Sequence, residues 1–186
     1  VEKTSVVGVS MGGMIAQYLA IDFPEFVEKL VLAVTLARPN DTVKERCETW
    51  IKSAEEKDYE AIMKDSALYS YSDEYLRKNK MMLNVISKIG APKSFDRFIT
   101  FSKACTTHNA YEKLEKITCP TLVIGGMQDK IVTYEASEEI ASKIPNAKLK
   151  TYEKFGHAAY EEGKDFNKTV YEFCMGNETL LEKIDK

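Results

Sequence analysis

The sequence predicts an α/β fold in which a parallel sheet with flanking helices is interrupted by a helical insertion. Near both ends of the chain, short apolar runs alternate with segments of helical periodicity, a pattern typical of parallel strands joined by helices. Between them, residues 40–116 are dense in charge and carry apolar residues at helical spacing. A chain of 186 residues can hold one sizeable core with an insertion. We therefore assign 1–39 and 117–186 to the core and 40–116 to a helical cap or lid.

The elements follow in order from apolar runs and their boundaries. The predicted strands are 4–9, 29–35, 120–126 and 147–152. The predicted core helices are 14–20, 135–143 and 166–174. In the insertion we expect three to five helices, because polar or glycine-containing breaks occur near Asp58, at 70–72 and at 90–92.

A Gly-x-Ser-x-Gly pattern lies directly between the first strand and the first helix, at residues 8–12. A serine hydroxyl attacks well only when a tight turn exposes it beside a base and near backbone N–H groups. We expect Gly8 and Gly12 to avoid collisions beside Ser10, and the Met11 N–H to face a developing oxyanion. The alternative is a glycine-rich turn that holds an incidental serine.

The chain has two histidines that could serve as the base for Ser10. His157 follows the fourth strand, and the carboxyl ends of parallel strands, where Ser10 also lies, share one edge of the sheet. We therefore predict that His157 is the base, the alternative being a solvated loop histidine. His108 lies in the helical insertion, where we interpret it as an exposed or capping polar residue.

Asp129 is the predicted acid that holds the base in one tautomer. It lies just beyond the carboxyl end of the third strand, at the same edge as the other two residues. The alternative is that Asp129 caps the helix that follows. Along the chain the three residues come in the order serine, acid, histidine, which is one of the known orders of catalytic triads. We expect these three side chains to lie within hydrogen-bonding reach.

Composition limits the partners and the location. The net charge of −3 gives no reason to expect nucleic acid or an anionic membrane as a partner. No apolar run approaches the roughly 20 residues of a membrane helix, and the cytoplasm is the expected location. The cysteines, Cys47, Cys105, Cys119 and Cys174, are far apart and are predicted to be reduced, mostly buried thiols. We predict no cofactor and no metal.

Three segments resemble the α/β-hydrolase superfamily. Residues 8–17 are similar to its nucleophile turn in the small esterase, enol-lactonase and cofactor-free perhydrolase branches. Residues 119–129 resemble its acid strand, and 155–157 its histidine loop. The resemblance extends from residue 1 to about residue 174, and 40–116 correspond in kind to the variable helical cap.

The resemblance implies a serine hydrolase of esterase or lipase-like type with a catalytic triad. Ser10 would attack a small-molecule ester, thioester or lactone, while His157 moves the proton and Asp129 orients His157. The Met11 N–H would serve the oxyanion hole. The alternative is an inactive fragment or a non-catalytic interaction protein that retains the fold.

The thioether and aromatic side chains of the cap can be interpreted in two ways. We interpret them as packing residues, and the alternative is an adaptable acyl pocket under a lid. These residues are Met63, Tyr69, Tyr71, Met81, Met82 and Phe98.

The sequence departs from the family at its start. Members of the superfamily carry several strands before the nucleophile turn, together with a loop that supplies a second oxyanion donor. Here the strand before Ser10 is the first element, so we expect it to be an exposed apolar edge. We expect the chain to be a carboxyl-terminal portion of a hydrolase, to self-associate, or to meet an amino-terminal half on another chain.

Overall fold

The computed structural model describes residues 2–176. Its central layer is a four-stranded sheet of order β1-β2-β3-β4 in which every neighbouring pair is parallel. The strands are β1 (Thr4–Val9), β2 (Val27–Ala33), β3 (Thr121–Gly126) and β4 (Ala147–Tyr152). The predicted α/β class with a parallel sheet is confirmed. The second strand ends earlier than predicted because Val34 has φ 44°, which breaks the extended backbone after Ala33.

Residues 2–176 form eight α-helices. They are α1 (Met11–Asp22), α2 (Asp41–Glu55), α3 (Tyr59–Ser70), α4 (Asp73–Ile86), α5 (Asp96–Thr107), α6 (Tyr134–Lys143), α7 (Ala159–Glu162) and α8 (Phe166–Cys174). Short 3₁₀ helices span Pro24–Phe26 and Tyr111–Lys116. Two of the three predicted breaks in the insertion are helix starts, since Asp58 and Ser72 cap α3 and α4 with their side chains. The third, at 90–92, lies in the segment between α4 and α5.

The two faces of β2 bury alternate side chains. Leu30 and Leu32 pack with α1 and α6 on one face, whereas Val31 and Ala33 pack with α7 and α8 on the other. Each of these four side chains is fully buried. Removal of this apolar surface from water on both faces holds the sheet between its helix layers.

The helices of the insertion pack over the carboxyl edge of the sheet. Val43 and Cys47 of α2 join Met14 of α1 in one buried cluster with Leu36 and Ile131, which follow β2 and β3. Helices α3 and α5 pack on α2, and α4 packs on α3. The insertion therefore lies at the edge where the sequence places its three site residues.

At one side of the sheet, β1 is an edge strand in the part of the chain that the structure describes. It pairs with β2, and its Val7 side chain is 46% exposed. This agrees with the expected exposed apolar edge. Within residues 2–176, no helix combines the length and apolar character needed to cross a membrane.

The cysteines are free thiols, as predicted, but they are less buried than predicted. Cys47 alone is fully buried, while Cys105, Cys119 and Cys174 are half-buried. The difference has a positional cause: Cys47 lies in the middle of α2, whereas Cys105 and Cys174 lie near the ends of their helices and Cys119 lies in the segment before β3.

Candidate active site

Ser10 lies on a strained turn between β1 and α1. Its backbone has φ 52° and ψ −122°, a conformation that non-glycine residues rarely adopt and that costs about 1–3 kcal/mol. Two hydrogen bonds from the neighbouring strand region hold it: the Ser10 N–H donates to the Ala33 carbonyl at 2.9 Å, and the Thr35 hydroxyl donates to the Ser10 carbonyl at 2.7 Å. Because the surroundings fix this turn, the Ser10 hydroxyl is presented in one direction.

Gly8 and Gly13 make the close packing of this turn possible. A Cβ on Gly8 would lie 2.6 Å from the Gly12 carbonyl oxygen, and one on Gly13 would lie 2.6 Å from Thr35 Cβ. A Cβ on Gly12 would meet nothing within 4 Å. The expected collision at Gly12 is therefore wrong, because the crowding comes from Thr35, which packs against the first turn of α1 at Gly13.

The structure brings Ser10, His157 and Asp129 into one hydrogen-bonded line. His157 Nε2 lies 2.9 Å from Ser10 Oγ, and His157 Nδ1 lies 2.8 Å from Asp129 Oδ2. Both His157 and Asp129 are 7% exposed, so the alternative of a solvated loop histidine is wrong. With Asp129 ionised, Nδ1–H donates to the carboxylate, which leaves Nε2 free to accept the Ser10 proton.

The second oxygen of Asp129 fixes the loop after β3. Asp129 Oδ1 accepts the Ile131 N–H at 2.8 Å and the Val132 N–H at 3.0 Å. Helix α6 begins only at Tyr134, after Thr133, so Asp129 does not cap that helix. One oxygen therefore anchors the carboxylate to its own loop while the other is aimed at His157.

Met11 is the first residue of α1, immediately after Ser10. The first N–H groups of a helix have no carbonyl partner within the helix, and the helix dipole adds positive character there. The Met11 N–H is therefore one of the N–H groups at the start of α1 that have no carbonyl partner within the helix.

His108 lies apart from this line, beside Gln17 and Tyr18 of α1. It ends α5, its N–H donates to the Ala104 carbonyl at 3.0 Å, and its ring packs edge-on against Tyr18. His108 Nε2 lies 3.3 Å from Gln17 Oε1, and burial lowers the pKa of the ring. The capping interpretation of His108 agrees with this position, although the ring is half-buried rather than exposed.

The cap has a cavity beside the histidine loop and an open groove between two of its helices. The cavity, of about 300 Å³, lies between α3, α4 and α7, and Tyr71, Met82 and Tyr160 are among its lining residues. The groove, of about 1060 Å³, lies between α3 and α4. Met63 lines both. Met81 is 81% exposed in the groove, so the packing interpretation is wrong for this residue.

Sequence inspection missed two kinds of contact around the site. Thr35, which holds the Ser10 carbonyl, follows β2 with no motif of its own. The junction of α3 and α4 contacts the segment after His157, and its residues lie about 90 positions away in the chain. Neither contact has a local spacing pattern, so the sequence alone offered no means to find them.

Among proteins built on a parallel α/β sheet, a serine on a strained strand-to-helix turn beside a histidine and an acid defines a class of hydrolases. Residues 1–164 match the family model described as alpha/beta hydrolase fold. The chain belongs to this family.

The similarity extends to curated relatives that are longer than this chain. A protein assigned as a carbamate hydrolase, from Caulobacter sp. (strain K31), is 28% identical over 94% of this chain and 66% of its own length. The 3-oxoadipate enol-lactonase 2 of Acinetobacter baylyi is 24% identical over 91% of this chain and 63% of its own length. The chain thus spans slightly less than two thirds of these relatives.

A solved structure shares the fold. The crystal structure of an alpha/beta hydrolase enzyme from a Medee basin deep-sea metagenome library aligns with a TM-score of 0.83 at 26% identity. The alignment covers 93% of this chain and 65% of that one. The described fold is therefore that of alpha/beta hydrolases over nearly the whole chain.

Proposed function

We propose that this chain carries the site of a serine hydrolase that cleaves a carboxylic ester, thioester or lactone through an acyl-enzyme on Ser10. The observation that carries the proposal is the continuous relay from Ser10 Oγ to His157 at 2.9 Å and from His157 to Asp129 at 2.8 Å. The strained Ser10 backbone supports it independently, since such strain is often retained where function requires it.

In the proposed reaction, Ser10 Oγ attacks the carbonyl carbon while His157 Nε2 takes the hydroxyl proton. Asp129 stabilises the resulting imidazolium through Nδ1–H. The Met11 N–H donates to the oxyanion of the tetrahedral intermediate. His157 then returns the proton to the leaving oxygen or sulfur, and an attacking water repeats the sequence to release the acid and restore Ser10. No step requires a cofactor or a metal.

The cap is proposed to act as the lid over this site. Helices α2 to α5 cover the carboxyl edge where Ser10 lies, and a lid there would exclude water and shape the acyl pocket. Carbamate hydrolase and enol-lactonase, the names of two relatives, both denote hydrolysis at a carbonyl carbon. This favours acyl chemistry over other reactions of the same fold.

The second candidate function is a non-catalytic interaction protein or a fragment without turnover. One observation favours it: β1 is an exposed edge of the described sheet and pairs with β2 on one side only. An open edge is suited to binding another strand.

A fluorophosphonate probe separates the two functions, because it reacts covalently with an activated serine. We expect labelling of the 186-residue chain that is lost in Ser10→Ala and lowered by several powers of ten in His157→Ala. His108→Ala is the matched control, since it removes the other histidine and should label like the wild type. A folded wild-type sample that does not label would favour the non-catalytic function, and a dead His108→Ala beside an active His157→Ala would overturn the assigned base.

A further inference from the structure

The junction between α3 and α4 contacts the loop that carries His157. The carbonyl of Ser70, the last residue of α3, accepts the N–H of Ala158 at 2.8 Å. Ala158 directly follows His157, and a Cβ on Gly156, on its other side, would lie 3.2 Å from the same carbonyl oxygen. The backbone on both sides of His157 therefore packs against the end of α3.

The next two residues of the junction bind two glutamates of α7. The Ser72 N–H donates to Glu162 Oε1 at 2.9 Å, and the Ser72 hydroxyl donates to Glu162 Oε2. The Tyr71 hydroxyl donates to Glu161 Oε2 at 2.6 Å, and burial together with this bond raises the pKa of Tyr71. Hydroxyl and amide donors to a carboxylate form hydrogen bonds about twice as strong as neutral pairs. We call these six residues, 70–72 with 158, 161 and 162, the cap clamp.

The segment that the cap clamp holds is short, and on its core side Ala159 packs in the buried cluster with β2 and α8. Helix α7 has four residues, Ala159–Glu162, and so short a helix is unstable without tertiary contacts. On the core side, the Gln128 N–H donates to the Phe155 carbonyl at 3.0 Å, two residues before His157. On the other side of His157, the backbone enters α7, where Glu162 is bound at both carboxylate oxygens.

We propose that Glu162, through its hydrogen bonds with Ser72, is a positioning residue for His157, so that the cap sets the alignment of the base with Ser10. This inference rests on the proposed function. His157 Nε2 and Ser10 Oγ must stay at hydrogen-bond distance for proton transfer, and a misplacement of about 1 Å can cost about a hundredfold in rate. Because the clamp acts on the base rather than on a bound substrate, its loss should lower kcat and leave KM nearly unchanged.

A reversal of hydrogen-bond polarity tests the proposal. Ser72→Asp keeps a good cap for α4 but places a carboxylate against Glu162, so kcat for a p-nitrophenyl ester should fall about tenfold to a hundredfold. Adding Glu162→Gln supplies an amide that donates to the new carboxylate, and this double variant should recover most of kcat.

Two further variants serve as controls. Ser72→Thr keeps the hydroxyl donor, and its kcat should stay near that of the wild type. Glu138→Gln, the same change at an exposed residue of α6, is the second control.

A second readout does not depend on turnover. The far-downfield proton resonance of the His157 Nδ1–H bond to Asp129 should broaden or shift in Ser72→Asp and return in the double variant. Wild-type kcat in Ser72→Asp, or a loss that the double variant does not recover, would overturn the positioning role. If the wild type fails to label with the fluorophosphonate, the proposed function fails. The resonance then tests the positioning role by itself, and an unchanged resonance in Ser72→Asp overturns that role.

Discussion

At the scale of single residues, the site and its surroundings depend on side chains that use both of their polar atoms. Asp129 anchors its own loop with Oδ1 and aligns His157 with Oδ2. Gln17, which is fully buried, donates from Nε2 to the Leu36 carbonyl at 3.0 Å and faces His108 through Oε1. A substitution at such a residue leaves at least two partners without a hydrogen bond, and an unsatisfied buried group costs about 1–3 kcal/mol.

His108 predicts a pH dependence of stability. Burial lowers the pKa of this histidine from 6.5, so over a range below that pH the unfolded chain binds a proton that the folded chain does not. The free energy of unfolding should therefore decrease as the pH falls from about 6.5 to the folded pKa of His108, and this contribution should level off below it. Urea unfolding followed by circular dichroism across this range measures the effect.

The control for this prediction is His108→Gln, which cannot titrate. Because every other group remains, the difference between the wild type and the variant isolates the contribution of His108. Identical pH slopes for the two proteins would contradict the prediction.

At the scale of elements, the turn between β1 and α1 predicts different outcomes for three neighbouring glycines. In the 186-residue chain, Gly13→Ala and Gly8→Ala should lower the free energy of unfolding by about 1–3 kcal/mol, because each new Cβ meets atoms at 2.6 Å. Gly12→Ala should be neutral or raise it by up to about 1 kcal/mol, since alanine favours the helix and the space is open. Chemical unfolding of the three variants gives these values, and a Gly12→Ala as unstable as Gly13→Ala would refute the assignment.

The sequence was informative wherever an element ends at a turn. Ser10, Asp129 and His157 could be predicted because each follows a parallel strand, and the carboxyl ends of such strands share one edge. The closeness of Gly13 to Thr35 could not, because the two belong to different elements and meet only when the α1 helix packs on the sheet. The bonds between Ser72 and Glu162 were hidden for the same reason.

At the scale of the whole molecule, two helix layers and a cap converge on one edge of the sheet. The α1 layer presents Ser10, the loop after β3 presents Asp129, and the loop after β4 presents His157. The cap reaches this edge through the Met14 and Val43 cluster on one side and through the cap clamp on the other. In the proposed positioning role of the cap clamp, the position of the cap and the alignment of the base are therefore linked.

The exposed side of β1 predicts self-association of the 186-residue chain. Within the described residues β1 pairs on one side only, and Val7 of β1 and Ile15 of α1 are 46% and 63% exposed. A strand edge with free N–H and C=O groups beside apolar side chains recruits another strand, and lysine on an edge strand opposes this. We expect light scattering after size exclusion to give a mass above that of the monomer, and Val7→Lys to shift it towards the monomer.

Leu68→Lys, the same kind of change at a residue of α3 that is 54% exposed, is the control and should leave the mass unchanged. Ester hydrolysis measured on the same fractions adds a second test. Where the second oxyanion donor is absent, turnover should be reduced by about 10² to 10³. A stable wild-type monomer with the full turnover of a complete esterase would contradict both the predicted self-association and the predicted loss of turnover. An associated, weakly active chain that Val7→Lys converts to monomers would support the assignment of β1 as the interaction edge.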